Sequence, residues 1–380
     1  VALGTPPGRS ALAVIRLSGT GAFEIAARVI PSFRETPARE ARLARFRDQA
    51  GEIDRGLYLV FPKPRSETGE DVVEFQCHGG HAVPARLLAA IEAAGARPAH
   101  PGEFTRRAVL NGKMDLLQAE GLGDLIDAEA PAQARAALRQ LDGGLSRRIA
   151  TLRSAMLDLV AMLAYEVDFP EEDDGPIPRV RMEAKRAEVA AEVTRLLATV
   201  PLAERVRRGA LVVLAGPPNA GKSSLFNALL GTERALVTEV PGTTRDAVEA
   251  PADFLGWPIR LVDTAGLGET ADRIDALGQA MSRRYAEAAD LVVYCVADGR
   301  TGGPADGSLE GGLDKLESAQ PQPSLLRVRT KADLGGAADV DLQVSAVTGE
   351  GLEALRRAVA ERLFVSGAAL ADLEPALTRE

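Results

Sequence analysis

Between residues 145 and 163 the apolar positions Leu145, Ile149, Leu152, Met156, Leu159 and Leu163 recur at alternating spacings of four and three, which predicts one long helix with a single apolar face. The pattern stops at DFPEEDDGPIP, an acidic, Pro- and Gly-rich break at 168–178, and a second long helical pattern runs over 180–206. Long helices with short turns predict a bundle. Before them, residues 1–111 mix strand-like runs (ALAVIRLSG, GLYLVF, DVVEFQC) with one or two helices, the clearest over 82–94 ahead of Gly95, as in a compact α+β domain. From Ala210 the periodicity changes again. Short apolar runs at 210–215, 259–262, 291–297 and 325–328 alternate with helical stretches at 222–230, 272–288 and 351–364, the pattern of βα repeats around a parallel sheet. A helical pattern resumes after Leu363, so this unit reads as an insertion between helices. The expected organisation is a multidomain α/β protein: an α+β domain over 1–111, a helical region over 112–208, the α/β unit over 209–364, and the start of returning helices over 365–380.

A chain of 380 residues has room for two or three domains of roughly 150 residues each. Its 46% hydrophobic and 26% charged content, with 37 Gly and 23 Pro, is that of an ordinary folded protein and excludes a low-complexity chain. No apolar run approaches the ~18 residues that span a bilayer, and VALGTPPGR lacks the pattern of a signal peptide, so the expected compartment is the cytoplasm. The chain starts at Val1 inside a strand-like run and ends on the helical pattern ALADLEPALTRE, which reads as a piece of a longer chain. Cys77 and Cys295 lie far apart in apolar segments, as reduced buried thiols do. A net charge of −9 excludes a protein that grips nucleic acid with its whole surface, although residues 1–111 carry a small basic excess of three. His78 and His81 in CHGGH lack further ligands nearby, and the Gly pair between them reads as a tight turn rather than a metal site.

The sharpest chemical signal is GPPNAGKS at 216–223, a G-x-x-x-x-G-K-S loop between the apolar strand ALVVLA and the helix SSLFNALLG. Gly216 and Gly221 permit the backbone to turn several N–H groups onto phosphates, and the helix N-terminus adds positive potential. Lys222 supplies a point charge for the β- and γ-phosphates, and Ser223 a hydroxyl where Mg²⁺ sits between them. IRLVDTAGL at 259–267 then delivers Asp263 to the phosphate end of the sheet, with Gly266 offering an N–H to the γ-phosphate. In PGTTRD, 241–246, a Thr hydroxyl completes the Mg²⁺ shell only while the γ-phosphate is present. TKAD at 330–333 reads the base: the Asp333 carboxylate accepts two hydrogen bonds from guanine, whereas adenine would leave it unpaired, and the Lys331 stem lies along the ring. SAVTG at 345–349 offers backbone N–H groups to the guanine carbonyl.

The set GPPNAGKS, GTTRD, DTAGL, TKAD and SA resembles the TRAFAC-class GTPases. TPPGRSALAVIRLSG, TGEDVVEFQCHGG and PGEFTRRAVLNGKMDLLQAEGLGDLIDA make essentially all 380 residues similar to the MnmE (TrmE) family of tRNA-modification GTPases. The resemblance implies an N-terminal folate-binding-like domain, a helical bundle and an inserted Ras-like P-loop GTPase domain. It implies homodimerisation and binding of 5-formyl-tetrahydrofolate through positions that fall on Arg16, Glu74 and Lys113. Nucleotide contacts are implied at Asn219, Ala220, Gly221, Lys222, Ser223 and Ser224, at Thr238, Thr243, Thr244, Asp263 and Gly266, and at Thr330, Lys331, Asp333, Ser345 and Ala346. Mg²⁺ is implied on Ser223 and Thr244, and a K⁺ ion in place of an arginine finger on Asn219, Thr238, Val240 and Thr243. After DTAG this chain has Leu267, which cannot orient water; the family uses a downstream Glu, matched here by Asp275, so catalysis is implied for Asp275 with Lys222 and Thr244. Thr330 stands where the family's base motif usually begins with Asn, and the family's Cys-x-Gly-Lys tail is not in this sequence. The implied activity is GTP hydrolysis coupled, with the FAD-dependent partner MnmG (GidA), to carboxymethylaminomethyl-type modification of the tRNA wobble uridine. Two rivals stay open: a GTP-gated RNA or ribosome assembly switch, which the folate-like motifs disfavour, and a one-carbon transferase with a vestigial GTPase, which the intact P-loop disfavours.

Overall fold

The computed structural model describes residues 1–35, 39–168, 177–217, 219–231, 248–263, 285, 288–296, 324–335 and 340–364. The chain divides into two compact units, Val1–Ala119 and Glu120–Glu380. The first holds β1 (Ala2–Leu3), β2 (Leu12–Ser18), α1 (Ala22–Val29), β3 (Arg42–Asp48), β4 (Gly51–Phe61), β5 (Val72–His78), α2 (Ala82–Ala93) and α3 (Glu103–Leu110). Its strands form one antiparallel sheet in the order β1-β2-β5-β4-β3. Alternation along the strands sends Ala13, Ile15, Leu17, Phe46, Tyr58, Val60, Phe75 and Cys77 into one core, closed by Ala26 and Val29 of α1 and Leu87 and Ile91 of α2. The three strand-like runs of the sequence do not include β3, because RLARFRD offers only Ala44 and Phe46 to the core and otherwise holds four charged residues and an exposed Leu43, as suits a sheet edge.

In the second unit α5 (Pro131–Leu141) follows α4 (Leu116–Ile126), which crosses the boundary between the units. The helices α6 (Gly144–Asp168) and α7 (Arg179–Arg208) then run as an antiparallel pair, registered by Arg148 with Glu192 at 3.8 Å and Lys185 with Asp158 at 3.9 Å. The predicted apolar face of α6 is buried only at Leu145, while Ile149, Met156 and Leu163 are exposed; among the described residues α7 runs along one flank of the stripe and leaves the other uncovered.

The α/β part consists of β6 (Ala210–Ala215), α8 (Lys222–Leu230), β7 (Val248–Phe254), β8 (Trp257–Asp263), β9 (Leu291–Val296), β10 (Ser324–Arg329), β11 (Leu342–Gln343) and α9 (Leu352–Phe364). The strand order is β11-β10-β9-β6-β8-β7, parallel except for β7. Strand β6 is covered on both faces, Val212 and Leu214 packing with Leu225, Leu261, Val293 and Leu355, and Leu211 and Val213 with Val262 and Val292. That double burial is why ALVVLA reads as an unbroken apolar run. The antiparallel β7 was not foreseen from periodicity: Pro251 lies within it, and its edge position is where a sheet tolerates proline. At the end of the sheet away from the P-loop, the Ala132 N–H donates to Gly256 O at 2.9 Å and Trp257 stacks on Phe364 with centroids 4.4 Å apart. Nearby, Arg205 of α7 donates from Nε to Asp290 Oδ1 at 2.8 Å, while Asp290 Oδ2 accepts the Leu211 N–H at 2.9 Å. The α/β part is thereby pinned to α5 and α7, which precede it.

Candidate nucleotide site

The C-terminal ends of β6, β8, β9 and β10 lie side by side, so the loops that leave them converge. The loop after β6 turns sharply at Gly216, whose φ is +139°, and a Cβ there would lie 2.3 Å from the Cys295 carbonyl oxygen of β9. Only glycine lets the two backbones approach so closely. Asn219 (φ +61°) and Gly221 (φ +81°) are also left-handed, and they roll the loop back before α8 begins at Lys222. The Lys222 ammonium is buried and donates to Gly216 O at 2.8 Å and Pro217 O at 2.9 Å, which holds the cation against the loop. Ser223 and Ser224 follow in the first turn of α8. Asp263 is buried at the last residue of β8, in register with Leu214 of β6.

The base-reading segment is tied directly to the phosphate loop. The buried Thr330 hydroxyl donates to the Ala220 carbonyl, with the Val296 carbonyl also within reach at 3.2 Å. Lys331, left-handed at φ +56°, extends Nζ to Asn219 O at 2.9 Å. Asp333 is exposed, and its Oδ1 accepts from the buried Ser345 hydroxyl at 2.6 Å. The Ser345 N–H donates to Glu350 O, and those of Val347 and Thr348 turn to Ser345 Oγ, which leaves the Ala346 N–H, next to the Ser345 that holds Asp333, out of the bonds within this turn. Sequence reasoning assigned SAVTG a backbone role only. The Ser345 side chain as the orienter of Asp333 was missed, although a Ser twelve residues after an Asp and just beyond a strand is a weak signal for it. The Cys295 and Val296 carbonyls were missed as well, since backbone groups leave no residue signature. Burial pushes the Cys295 thiol up to about 12, so it packs behind the P-loop as an unreactive group.

Thr238, Val240, Thr243, Thr244, Gly266, Leu267 and Asp275 lie outside the described residues.

The three residues with an expected folate role belong to the first unit. Arg16 and Glu74 are cross-strand partners on β2 and β5, with Arg16 Nε donating to Glu74 Oε1 at 2.9 Å and Nη1 to Glu67 Oε2 at 2.8 Å. Lys113 Nζ donates to Pro64 O at 2.9 Å. Glu67 and Pro64 are both on the β4–β5 connection, so one loop meets both Arg16 and Lys113. His78 pairs with Asp54, Nδ1 to Oδ1 at 2.8 Å, and the Gly pair after it is sterically required: a Cβ at Gly79 would lie 2.1 Å from Ser10 O, and Gly80 has φ +110°.

The family described as the GTP-binding protein TrmE N-terminus matches residues 1–113, and the MnmE helical domain matches residues 116–380. The chain belongs to the MnmE family. The tRNA modification GTPase MnmE of Thermus thermophilus is 48% identical over 374 residues, covering 96% of this chain and 82% of the relative. That of Acidiphilium cryptum is 45% identical over 93% of this chain and 78% of its own length, and that of Parvibaculum lavamentivorans 43% identical over 100% and 84%. Among solved structures, the G domain of the Thermotoga maritima FeoB iron transporter is 31% identical over 40% of this chain and 98% of its own, with a TM-score of 0.29. Aquifex aeolicus Era bound to GDP and aluminium fluoride is 23% identical over 40% and 56%, with a TM-score of 0.32. In MnmE terms the architecture is an N-terminal TrmE domain, a helical domain and a Ras-like P-loop GTPase domain.

Proposed function

We propose that this protein hydrolyses GTP in the service of tRNA modification, acting with an FAD-dependent partner to install a carboxymethylaminomethyl-type group on the wobble uridine. The observation that carries the nucleotide part is the direct tie between the phosphate loop and the base-reading segment, Thr330 to Ala220 and Lys331 to Asn219, at the end of the sheet where Lys222 and Asp263 sit. In this reading Lys222 and the loop N–H groups hold the phosphates, Asp333 and the Ala346 N–H select guanine, and Asp275 with Thr244 serves hydrolysis. The tRNA part rests on relatives named tRNA modification GTPase that share 43–48% identity over nearly all of the chain.

The residues present suit Mg²⁺, a hard cation that takes oxygen ligands: the Ser223 hydroxyl stands in the first turn of α8, and the Asp263 carboxylate is buried at the end of β8. Bound there with Thr244, it would neutralise charge between the β- and γ-phosphates. K⁺ is assigned to the Asn219 side chain with Thr238, Val240 and Thr243; the Asn219 carbonyl itself is engaged by Lys331. A tetrahydrofolate is assigned to Arg16, Glu74 and Lys113, whose mixed charges suit a pterin ring and an anionic tail, in a homodimer. The domain limits proposed are 1–111, 112–208, 209–364 and 365–380, in a cytoplasmic protein. Among the described residues no helix is long and apolar enough to cross a membrane.

The deciding experiment is mass analysis of wobble uridines in tRNA from cells lacking the gene. Loss of the carboxymethylaminomethyl-type group is expected; a full complement of modified uridine would overturn the tRNA reading. For the cation, hydrolysis is expected to run faster in K⁺ than in Na⁺ at equal ionic strength, and equal rates would remove K⁺ from the mechanism.

A further inference from the structure

One face of the N-terminal sheet is closed by α1 and α2, and the opposite face carries an arrangement that folding by itself does not favour. Arg45 on the edge strand β3 lies directly opposite Arg55 on β4 in the antiparallel register. Like charges in directly opposed positions weaken a ladder. Both guanidinium groups turn to the same acid: Arg55 Nε donates to Glu52 Oε1 at 2.7 Å, and Arg45 Nη1 lies 3.5 Å from Oε2. Arg47, two residues beyond Arg45, stands opposite Glu52 as well, across a shift in register. Among the described residues one carboxylate therefore faces three guanidinium groups, which leaves two positive charges without a matching acid.

Beside these arginines a cleft of about 490 Å³ opens, lined by Pro31, Ser32, Leu43, Arg45, Arg47 and Arg55. The arginine side chains are well exposed there, 57% for Arg45 and 62% for Arg55. Charged residues on an edge strand commonly serve to prevent edge-to-edge pairing. That accounts for Arg45 and Arg47 on β3. It does not account for Arg55, which is on an inner strand, where a neutral side chain would relieve the repulsion. All three cations are Arg and none is Lys, the choice that favours planar, forked recognition of phosphate oxygens. Positions two apart on a strand are about 6.6 Å apart and opposed positions about 5 Å, so the three groups can meet neighbouring phosphates of one strand together.

We propose that this arginine cleft is a docking surface for the phosphate backbone of RNA, with tRNA as its occupant. The choice of occupant follows from charge. A protein with a net charge of −9 that must meet a polyanion has to gather its cations locally, and the basic excess of this chain lies within residues 1–111. The contact positions the RNA, because forked guanidinium groups pair with phosphate oxygens whatever base follows. The inference rests on tRNA being the substrate and adds where it is held.

The test is binding of an unmodified tRNA transcript to the full chain over a series of KCl concentrations, comparing wild type with the Arg45→Gln/Arg47→Gln/Arg55→Gln variant. Affinity is expected to fall about tenfold or more near 0.1 M salt, and the slope of log K against log salt by about two to three, roughly one for each phosphate that the variant no longer neutralises. GTP affinity and hydrolysis without RNA should not change. Equal affinity and slope in variant and wild type would overturn the proposal, as would unchanged tRNA binding with loss of an acidic protein partner. If wild type binds no tRNA at any salt, the substrate reading itself falls. Should the triple variant not fold, the single variants decide: each is expected to lower the slope by about one, and Arg55→Gln, by removing the opposed charge, should not lower the unfolding midpoint.

Discussion

Asp333 shows how much of this site is settled by a single side chain. Its carboxylate is exposed, yet the Ser345 hydroxyl at 2.6 Å fixes its orientation, and the Ser345 hydroxyl is itself held by the N–H groups of the following turn. A fixed acceptor pair suits a base that presents two donors, and changing one acceptor into a donor should reverse that preference. Asp333→Asn is expected to weaken GTP binding by about 2 kcal/mol and to improve XTP binding, read by titration calorimetry with both nucleotides; unchanged discrimination would remove Asp333 from base recognition. Thr330 acts at the same scale. A hydroxyl carries one proton, and two carbonyls, those of Ala220 and Val296, lie within its reach. An Asn side chain has two N–H groups for the same pair, so Thr330 can bond the phosphate loop at Ala220 or β9 at Val296, whereas an Asn could bond both.

At the scale of elements, the site depends on how closely the P-loop strand and its neighbour pack. The Gly216 turn is possible because β6 and β9 are parallel neighbours and the Cys295 carbonyl occupies the space a Cβ would need. Gly216→Ala is therefore expected to force the loop away from β9 and abolish nucleotide binding, with a loss of stability of about 1–3 kcal/mol, the scale of strained or overpacked positions. Fluorescence titration with a labelled guanine nucleotide, alongside denaturant unfolding, checks both; near wild-type affinity would mean the loop does not depend on this approach. The ribbon β7–β8 has a different place. One end carries Asp263 at the nucleotide site, and the other, at Gly256, is bonded to the first turn of α5. A continuous antiparallel pair thus joins the phosphate end of the sheet to the helices on which the α/β unit is mounted.

At the scale of the whole molecule, each compact unit is built on its own core, which predicts two unfolding steps rather than one. A GTP analogue at about 100 times its Kd should raise only the step that belongs to residues 120–380, by about 2.7 kcal/mol. Acid should act on the other step. Glu103 of α3 is held well below the usual carboxylate range, first by Arg97 and then by the His100 N–H and Arg107. A carboxylate whose pKa is depressed by folding contributes stability at pH values above about 4.3, and that contribution is lost as the pH falls toward its folded value. The first step should accordingly weaken below about pH 4–5, and Glu103→Gln should flatten the dependence; calorimetry over a pH series, with and without nucleotide, tests both, and a single step moved equally by acid and ligand would refute the division. Periodicity alone determined α6, α7, β6, α8 and α9, because each is long enough, or sufficiently buried, for one spacing of apolar residues to repeat. The sequence also determined the phosphate loop, since its glycines, Lys222 and Ser223 are neighbours in the chain and their chemistry is local. Strands β3 and β7 were decided by tertiary structure, because an edge strand half covered by charge, or one containing Pro251, gains its place from its partner's hydrogen bonds rather than from its own pattern. So were the ties of Thr330 to Ala220 and Lys331 to Asn219, and the placing of Arg45 opposite Arg55. These groups meet only when the sheets assemble, and the acceptors in both ties are backbone oxygens, which every residue carries and no sequence pattern marks.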